Sequence, residues 1–289
     1  MSAADTSFET AQTHSAVLLR RPSWRLLSAR RLTDILMHGY VLVWLLIFVL
    51  PFLALLDYSL QKGRGYDPVA NYSYVFFGTF KENLLLSLQV TVSAIVLNTL
   101  IAVPAAYAIV RFSFRGKRAI LALLNLPLYT PSAVMGLGLL LVYNLVYHIQ
   151  QSTAGLIAAM TMGTFGLALM PIIVSLKDLP PAFEEASLCL GATRWQTFTR
   201  IVLPLIGPGI SAGVLLTFVI VFNEFLVTLF IAGAGQQTAP LRVYSLIRSA
   251  GIANTTAALA VAMQAVSFLL IVLFFRIVGS RYLRGTYLM

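Results

Sequence analysis

Residues 177–209 read KDLPPAFEEASLCLGATRWQTFTRIVLPLIGPG, and the spacing of proline, glycine and threonine in them predicts local structure. Pro180 and Pro181 favour a helix start, because the first turn of a helix leaves its N–H groups unpaired anyway. Gly191 favours a left-handed residue that ends a helix, and Thr193 can cap a second helix. The segment therefore predicts two short helices that meet at a glycine. We call residues 177–204 the corner.

The rest of the chain is strongly apolar. Of its 289 residues, 59% are hydrophobic and 10% are charged, and the mean hydropathy is +0.86. Soluble domains carry about 25% charged residues. Disordered chains are highly charged and have low hydrophobicity, which is the opposite of this composition. The composition excludes most soluble folds and predicts an integral membrane protein. We expect it to be all-α, because no alternating strand pattern competes with the long apolar stretches.

Six apolar stretches are long enough to cross about 30 Å of hydrocarbon as helices. They cover residues 38–57, 84–110, 119–147, 154–176, 205–231 and 256–278. Residues 38–289 are therefore interpreted as one domain with six transmembrane helices. Residues 1–37 are interpreted as a basic tail, whose segment from Trp24 is either a helix lying on the membrane surface or a solvated flank.

The basic residues are unevenly distributed between the two sets of loops. Fifteen of the 20 lysines and arginines lie in the tail, in the loops after the second and fourth stretches, and at the C-terminal end. Positive charge collects on the cytoplasmic side of membrane proteins. The pattern predicts that both termini and the corner are cytoplasmic.

The corner also carries a family resemblance. It contains Glu185-Ala186-Ser187, three further residues, Gly191, nine further residues, and Ile201-Val202-Leu203-Pro204. This series resembles the "EAA…G…I-LP" motif of permease subunits of binding-protein-dependent type I ABC importers. Ser187 stands where the motif has alanine, which exchanges one small residue for another. With the six apolar stretches, the resemblance covers roughly residues 84–280.

The resemblance implies that the corner is the coupling element, which docks on a cytoplasmic ATPase. The residues expected to form it are Glu184, Glu185, Ala186, Ser187, Gly191, Ala192, Ile201, Leu203 and Pro204. The implied partners are two ABC ATPase subunits, a second permease subunit (a heterodimer rather than a homodimer) and an extracytoplasmic solute-binding protein. The implied location is the bacterial inner membrane, with no nucleic acid involved.

The sequence gives no sign of chemistry within the chain itself. No glycine-rich phosphate-binding loop ending in Gly-Lys-Ser/Thr occurs in it, and no Cys, His or acidic cluster has metal-ligand spacing. We therefore expect no catalytic residue, no metal and no cofactor in this subunit. ATP and Mg are expected on the partner ATPases.

Polar residues within the apolar stretches are candidates for the solute path. Glu224, beside Asn223, is an acid in the fifth stretch, and ionisable residues in membranes usually face the bundle interior or a wet cavity. Tyr129, Ser132 and Asn144 are candidates in the proline-containing third stretch. The alternative is that Asn223 and Glu224 hydrogen-bond a neighbouring helix for purely structural reasons.

The solute itself is left open. The segment PLRVYS at 240–245 and the small residues after it resemble permeases of the spermidine/putrescine, ferric and phosphonate groups. Ser132 and the single acid in the fifth stretch depart from the polyamine pattern. The expected solute is polyamine-like, a phosphonate or a related organic molecule. The alternatives are a membrane-embedded lipid-modifying enzyme, which needs convergent acids or histidines, and an ATP-independent secondary carrier, which commonly shows repeated halves.

Overall fold

The computed structural model describes residues 24–62, 65–78, 80–147, 152–233, 235–251 and 253–286. The predicted tail up to residue 23 lies outside these residues. The chain divides into two units, of which the first ends at Leu55 and the second begins at Leu56.

The described part of the first unit is helical. Helix α1, Trp24–Leu60, begins in this unit and runs through Pro51 without ending. Its side chains from 34 to 54 are all exposed, as expected of an apolar helix that faces lipid. The helix also passes through the predicted boundary between tail and membrane domain at residues 37 and 38, and that boundary stays a prediction.

The second unit begins with the last residues of α1, and a small hairpin and then helices follow in its described residues. Strands β1 (Gln61–Lys62) and β2 (Gly65–Tyr66) are antiparallel. The first group of helices is α2 (Pro68–Phe77), α3 (Phe80–Arg111), α4 (Lys117–Tyr129), α5 (Ser132–Val142), a π-helical turn (Tyr143–Tyr147) and α6 (Thr153–Asp178). The second group is α7 (Ala182–Cys189), α8 (Arg194–Thr197), a π-helical turn (Phe198–Val202), α9 (Leu203–Leu205), α10 (Gly207–Asn223), α11 (Leu226–Ile231), α12 (Ala239–Ala250) and α13 (Asn254–Thr286).

Within the described residues, four helical segments are long and apolar enough to cross a membrane. They are Asp34–Leu60, Phe80–Arg111, Thr153–Asp178 and Asn254–Arg276. Two bent helix pairs raise the number to six if each pair counts as one span. All of these segments overlap stretches that the sequence predicted to cross the membrane. Whether the spans number four or six depends on how the two bent pairs are counted.

The third and fifth stretches are not continuous helices, and the break in the third falls at Pro131, where a proline favours a kink. In the third, Lys117–Tyr129 and Ser132–Leu145 meet at 108°, because the chain is extended at Thr130 and Pro131. A proline disfavours helical backbone in the residue before it, which accounts for this break.

The fifth predicted stretch, 205–231, is divided as well. Arg194–Leu205 and Gly207–Asn223 are bent by 63° relative to each other, and the helix stops again at Glu224 before α11 begins. Gly207 and Pro208 follow the first break, whereas the second break contains neither glycine nor proline.

The core of the second unit is formed by α3, α6 and α10. Glycines allow α10 to approach α6 closely: a Cβ on Gly209 would lie 2.6 Å from the Pro171 carbonyl oxygen, and one on Gly213 would lie 2.8 Å from that of Ala168. The largest buried apolar cluster joins α3 and α6 to Val202 and Ile206, which are fully buried. The chain after the corner is thus packed directly into the core.

Two non-spanning helices occupy regions that the sequence analysis treated as loops. Asp67 caps α2 by accepting a hydrogen bond from the Ala70 N–H at 3.2 Å, and α12 begins with proline at its second residue. An aspartate before a proline is a standard helix-start signal. That signal was available for α2 in the sequence.

Candidate functional site

The corner has the local structure that its sequence predicts. Helix α7 follows Pro181, and Gly191 has φ = +85°, which L residues with side chains rarely adopt. Thr193 accepts a hydrogen bond from the Gln196 N–H, and the Gln196 side chain accepts one from the Thr193 N–H. This capping box fixes the start of α8 directly after the glycine.

A buried hydroxyl pair joins the two corner helices. Ser187 of α7 and Thr197 of α8 lie 3.0 Å apart (Oγ to Oγ1), and both side chains are buried. An alanine at position 187 would leave the Thr197 hydroxyl without this partner. The departure of Ser187 from the family motif is therefore matched by a threonine across the corner.

The corner is also anchored to the core by Glu184. Its carboxylate accepts hydrogen bonds from Arg111 Nε and from the Tyr107 hydroxyl, each at 2.7 Å, and Arg111 also donates to the Leu179 carbonyl oxygen at 3.0 Å. The Arg111 and Glu184 side chains are only 15% and 13% exposed. Sequence analysis missed both partners, although Tyr107 and Arg111 are four residues apart and share one face of α3.

The outward side of the corner is exposed and largely apolar. Phe183 is 53% exposed, Leu190 89% and Trp195 71%. Glu185, Ala186, Cys189 and Gly191 are exposed as well, and Ala192 is half-buried. Large exposed apolar patches outside the membrane commonly mark protein-interaction sites.

The end of the motif connects the corner to the core. Ile201 and Leu203 are half-buried and Pro204 is exposed. Val202, which was not among the predicted site residues, is fully buried in the cluster between α3 and α6. Phe198 extends the contact, since its ring lies 5.3 Å from the Tyr107 ring in an edge-on arrangement.

The second group of candidate residues lies around two helix breaks, the one between α4 and α5 and the one between α10 and α11. The Ser132 hydroxyl donates to Glu224 Oε2 at 3.3 Å, although 92 residues separate them. Glu224 Oε1 accepts hydrogen bonds from the N–H groups of Leu226 and Val227 at 2.8 and 3.1 Å. The carboxylate thus caps α11, where the helix dipole favours negative charge. This capping explains the break that sequence analysis missed.

The other predicted path residues are placed around this pair or away from it. Asn223 is exposed, and its amide donates to the Val219 carbonyl oxygen at 2.8 Å. Tyr129, at the end of α4, is 83% exposed. Asn144 is exposed in the π-helical turn, twelve residues from Ser132 and so about 18 Å along the helix. The structure therefore brings Ser132 and Glu224 together and leaves Asn144 apart.

Beyond α11, the chain forms an open cavity of about 640 Å³ that is lined by polar and apolar residues alike. Its lining includes Gln237, Tyr244, Ser245, Arg248 and Ser249. The Tyr244 ring contacts the Phe225 ring with a centroid distance of 4.8 Å. Tyr244 of the cavity lining is therefore in contact with the residue that follows Glu224.

The chain matches a family model described as "Binding-protein-dependent transport system inner membrane component" over residues 98–284. It belongs to this family. As a member, it is a permease component of an ABC importer, and its family relies on partner subunits for ATP hydrolysis. The matched range contains the corner and both helix breaks.

Curated permeases of several solutes are similar to this permease in sequence. The putrescine transport system permease protein PotI of Escherichia coli K12 is 28% identical over 240 residues, 79% of this chain and 81% of that protein. The molybdenum transport system permease protein ModB of Haemophilus influenzae is 33% identical over 203 residues, 64% of this chain and 89% of that protein.

The fold of this permease is also found among solved structures. A bacterial alginate ABC transporter in complex with an alginate-pentasaccharide-bound periplasmic protein matches with a TM-score of 0.69 and 15% identity, over 92% of this chain and 99% of that chain. The MetNI methionine ABC transporter matches with a TM-score of 0.56 and 16% identity, over 69% and 92%. At these identities the likeness concerns the fold.

Proposed function

We propose that this permease, with a second and different permease subunit, forms the path of an importer for a small polar solute in the bacterial inner membrane. Each bent helix pair then counts as one span, which gives six spans with both termini cytoplasmic. One of two partner ATPases docks on the corner of this permease and the other on the second permease, and an extracytoplasmic binding protein delivers the solute to the opposite side. The observation that carries this proposal is the anchoring of an exposed apolar corner to α3 and the core.

The anchoring suits the corner to transmit force. An element that couples ATP hydrolysis to helix movement must be gripped from outside and must not move independently of the spans. Phe183, Leu190 and Trp195 offer the surface to be gripped. Glu184 holds α7 to the end of α3, and Val202 fixes the following turn in the core. A displacement of the corner is then passed to α3 and α10 together.

The helix breaks suit the solute path. Irregular backbone at membrane depth is tolerated where protein or a water-filled cavity satisfies its polar groups. Ser132 and Glu224 hydrogen-bond each other, and Glu224 also accepts from a free N–H group at the start of α11. Asn223 and Tyr129, which are close to them in sequence, stay exposed. We assign these exposed side chains to the path between the two permeases, with Asn144 further along it.

The relatives support a small polar solute without fixing its identity. The curated relatives are named for putrescine and molybdenum, and another for sulfate, all small and strongly polar species. We propose a polyamine-like, phosphonate or related organic solute. The pair of different permease subunits is what the resemblance of residues 240–245 to the spermidine/putrescine, ferric and phosphonate groups implies.

The proposal is tested by purification of the permease from cells that co-express the neighbouring transport genes. We expect an ATPase to co-purify, and we expect the double variant Leu190→Ser with Trp195→Ser to lose it while still inserting into the membrane. Ile247→Ser is the control. Ile247 is an exposed apolar residue on α12, which follows the C-terminal end of α10, whereas the corner precedes its N-terminal end. An ATPase that stays bound to the double variant would contradict docking on the corner.

A further inference from the structure

We propose that α2 is an interfacial anchor, whose exposed face binds the headgroup and upper acyl region of the lipid leaflet at its end of the spans. Helix α2 is too short to cross the membrane, since ten residues extend about 15 Å. It joins α1 to α3 and was treated as part of a loop in the sequence analysis.

The two faces of α2 differ sharply in burial. Val69, Ser73, Phe76 and Phe77 are exposed, and they follow the i, i+4, i+7, i+8 spacing of one helix face. Phe77 is 91% exposed, Val69 74% and Phe76 61%. In an aqueous setting these fractions would leave most of the Phe76 side chain and nearly all of the Phe77 side chain in water, which is unfavourable.

Backbone hydrogen bonds place both ends of α2 at the ends of long apolar helices. The hairpin turns the chain back, so that the Asp67 N–H donates to the carbonyl oxygen of Leu60, the last residue of α1, at 3.1 Å. At its other end, Gly78 accepts a hydrogen bond from the N–H of Lys81 in the first turn of α3. Both ends of α2 therefore lie where a long apolar helix ends, which is the level that we assign to the membrane boundary.

The composition of α2 favours lipid as the occupant of the exposed face. The sequence PVANYSYVFF contains no charged residue, whereas interfaces with soluble proteins usually have a polar rim around their apolar centre. Aromatic residues are enriched at the membrane–water boundary. Lys81, exposed in the next turn, is placed to meet lipid phosphates, because long basic side chains near span ends reach towards the headgroups.

The buried face of α2 connects this anchor to the cavity that α12 lines. Asn71 is buried and donates to the carbonyl oxygens of Ser59 and Gln61 at 2.9 and 2.7 Å. Val75 packs in a cluster with Ala239 of α12 and with α13. Because α12 lines the cavity, an α2 fixed in the lipid boundary would hold the cavity wall at constant depth.

The anchor is tested by spin labelling of the full transporter in lipid nanodiscs. The native cysteine is removed with Cys189→Ser, and labels are attached to Ser73→Cys, Phe76→Cys and Phe77→Cys in separate variants. Collisions of each label with oxygen, which partitions into lipid, are compared with collisions with a water-soluble nickel chelate. Ser249→Cys on α12, exposed and lining the cavity, is the matched control.

We expect the ratio of oxygen to nickel collisions to be about fivefold higher on α2 than at Ser249, since the lipid region holds little water. Ser73→Cys replaces a small exposed residue and tests the same face without loss of an aromatic ring. Ratios equal to that at Ser249 would overturn the proposal. So would a loss of nickel collisions at Phe77 only after addition of the solute-binding protein, which would identify the face as that protein's docking surface.

Discussion

Arg111, the last residue of α3, donates to the carboxylate of Glu184 in α7 at 2.7 Å, across 73 residues of sequence. The pair is mostly shielded from solvent, so it is not an ordinary surface ion pair of negligible strength. It joins the end of a membrane-spanning helix to the helix that we assign to ATPase docking. The coupling account depends on this connection.

Loss of the guanidinium should therefore uncouple ATP hydrolysis from transport. In Arg111→Ala the Glu184 carboxylate stays shielded from solvent without its cation. The folded state should lose about 3 kcal/mol of stability, the lower end of the range for a buried ion pair that loses one partner. Arg111→Lys should be intermediate, because lysine lacks the planar fork that reaches both Glu184 and the Leu179 carbonyl oxygen. The measurement is solute imported per ATP hydrolysed in proteoliposomes.

The control for this experiment is Arg115→Ala. Arg115 is exposed in the loop that follows α3, so its removal deletes the same charge without breaking the anchor. If Arg111→Ala and Arg115→Ala imported the same amount of solute per ATP, the anchor would have no part in coupling.

Substitution of Gly191 should depend on backbone conformation rather than on size. A Cβ at this position meets nothing within 4 Å, but φ is +85°. A β-branched residue there loses about 1–2 kcal/mol, whereas asparagine tolerates the left-handed region better. We expect Gly191→Val to impair ATPase retention strongly and Gly191→Asn only mildly. Equal retention by both variants would show that the turn is not needed in this form.

Glu224→Gln separates the charge of Glu224 from its capping role. The glutamine amide oxygen can still accept from the N–H groups of Leu226 and Val227, so α11 keeps its cap. If the charge faces the solute path, uptake should fall about tenfold, equivalent to about 1.4 kcal/mol, with ATPase co-purification unchanged. Normal uptake by this variant would make Glu224 a structural cap alone.

Helix packing gives a prediction that does not involve function. A Cβ on Gly209 would lie 2.6 Å from the Pro171 carbonyl oxygen, whereas one on Gly138 would meet nothing within 4 Å. Overpacking typically destabilises a protein by about 1–3 kcal/mol. Gly209→Ala should lower the melting temperature in detergent, and Gly138→Ala should leave it unchanged. The same melting temperature for both would contradict the close contact between α6 and α10.

Much of the corner could be predicted from its sequence because its signals are local. Proline at a helix start, Gly191 at a turn and Thr193 as a cap each act within four residues. The apolar stretches were also evident, since composition alone sets them apart from loops. The sequence pattern could therefore locate the apolar stretches and the two corner helices between the fourth and the fifth of them.

The remaining features depend on contacts between residues that are distant in sequence. Nothing near Glu184 indicates Arg111, and nothing in the run from Asn223 to Phe230 signals a break. That break arises because the Glu224 carboxylate takes up the N–H groups of the next turn and meets Ser132 from another helix. Periodicity and composition carry no information on such pairs.

The most direct test of the central claim uses the single cysteine of the chain. Cys189 is exposed at the end of α7, so a membrane-impermeant maleimide reports on which side the corner lies and whether it is covered. We expect labelling in inside-out vesicles stripped of the ATPases, protection once the ATPases are bound, and no labelling in right-side-out vesicles. Labelling from the outside, or equal labelling with and without the ATPases, would contradict it.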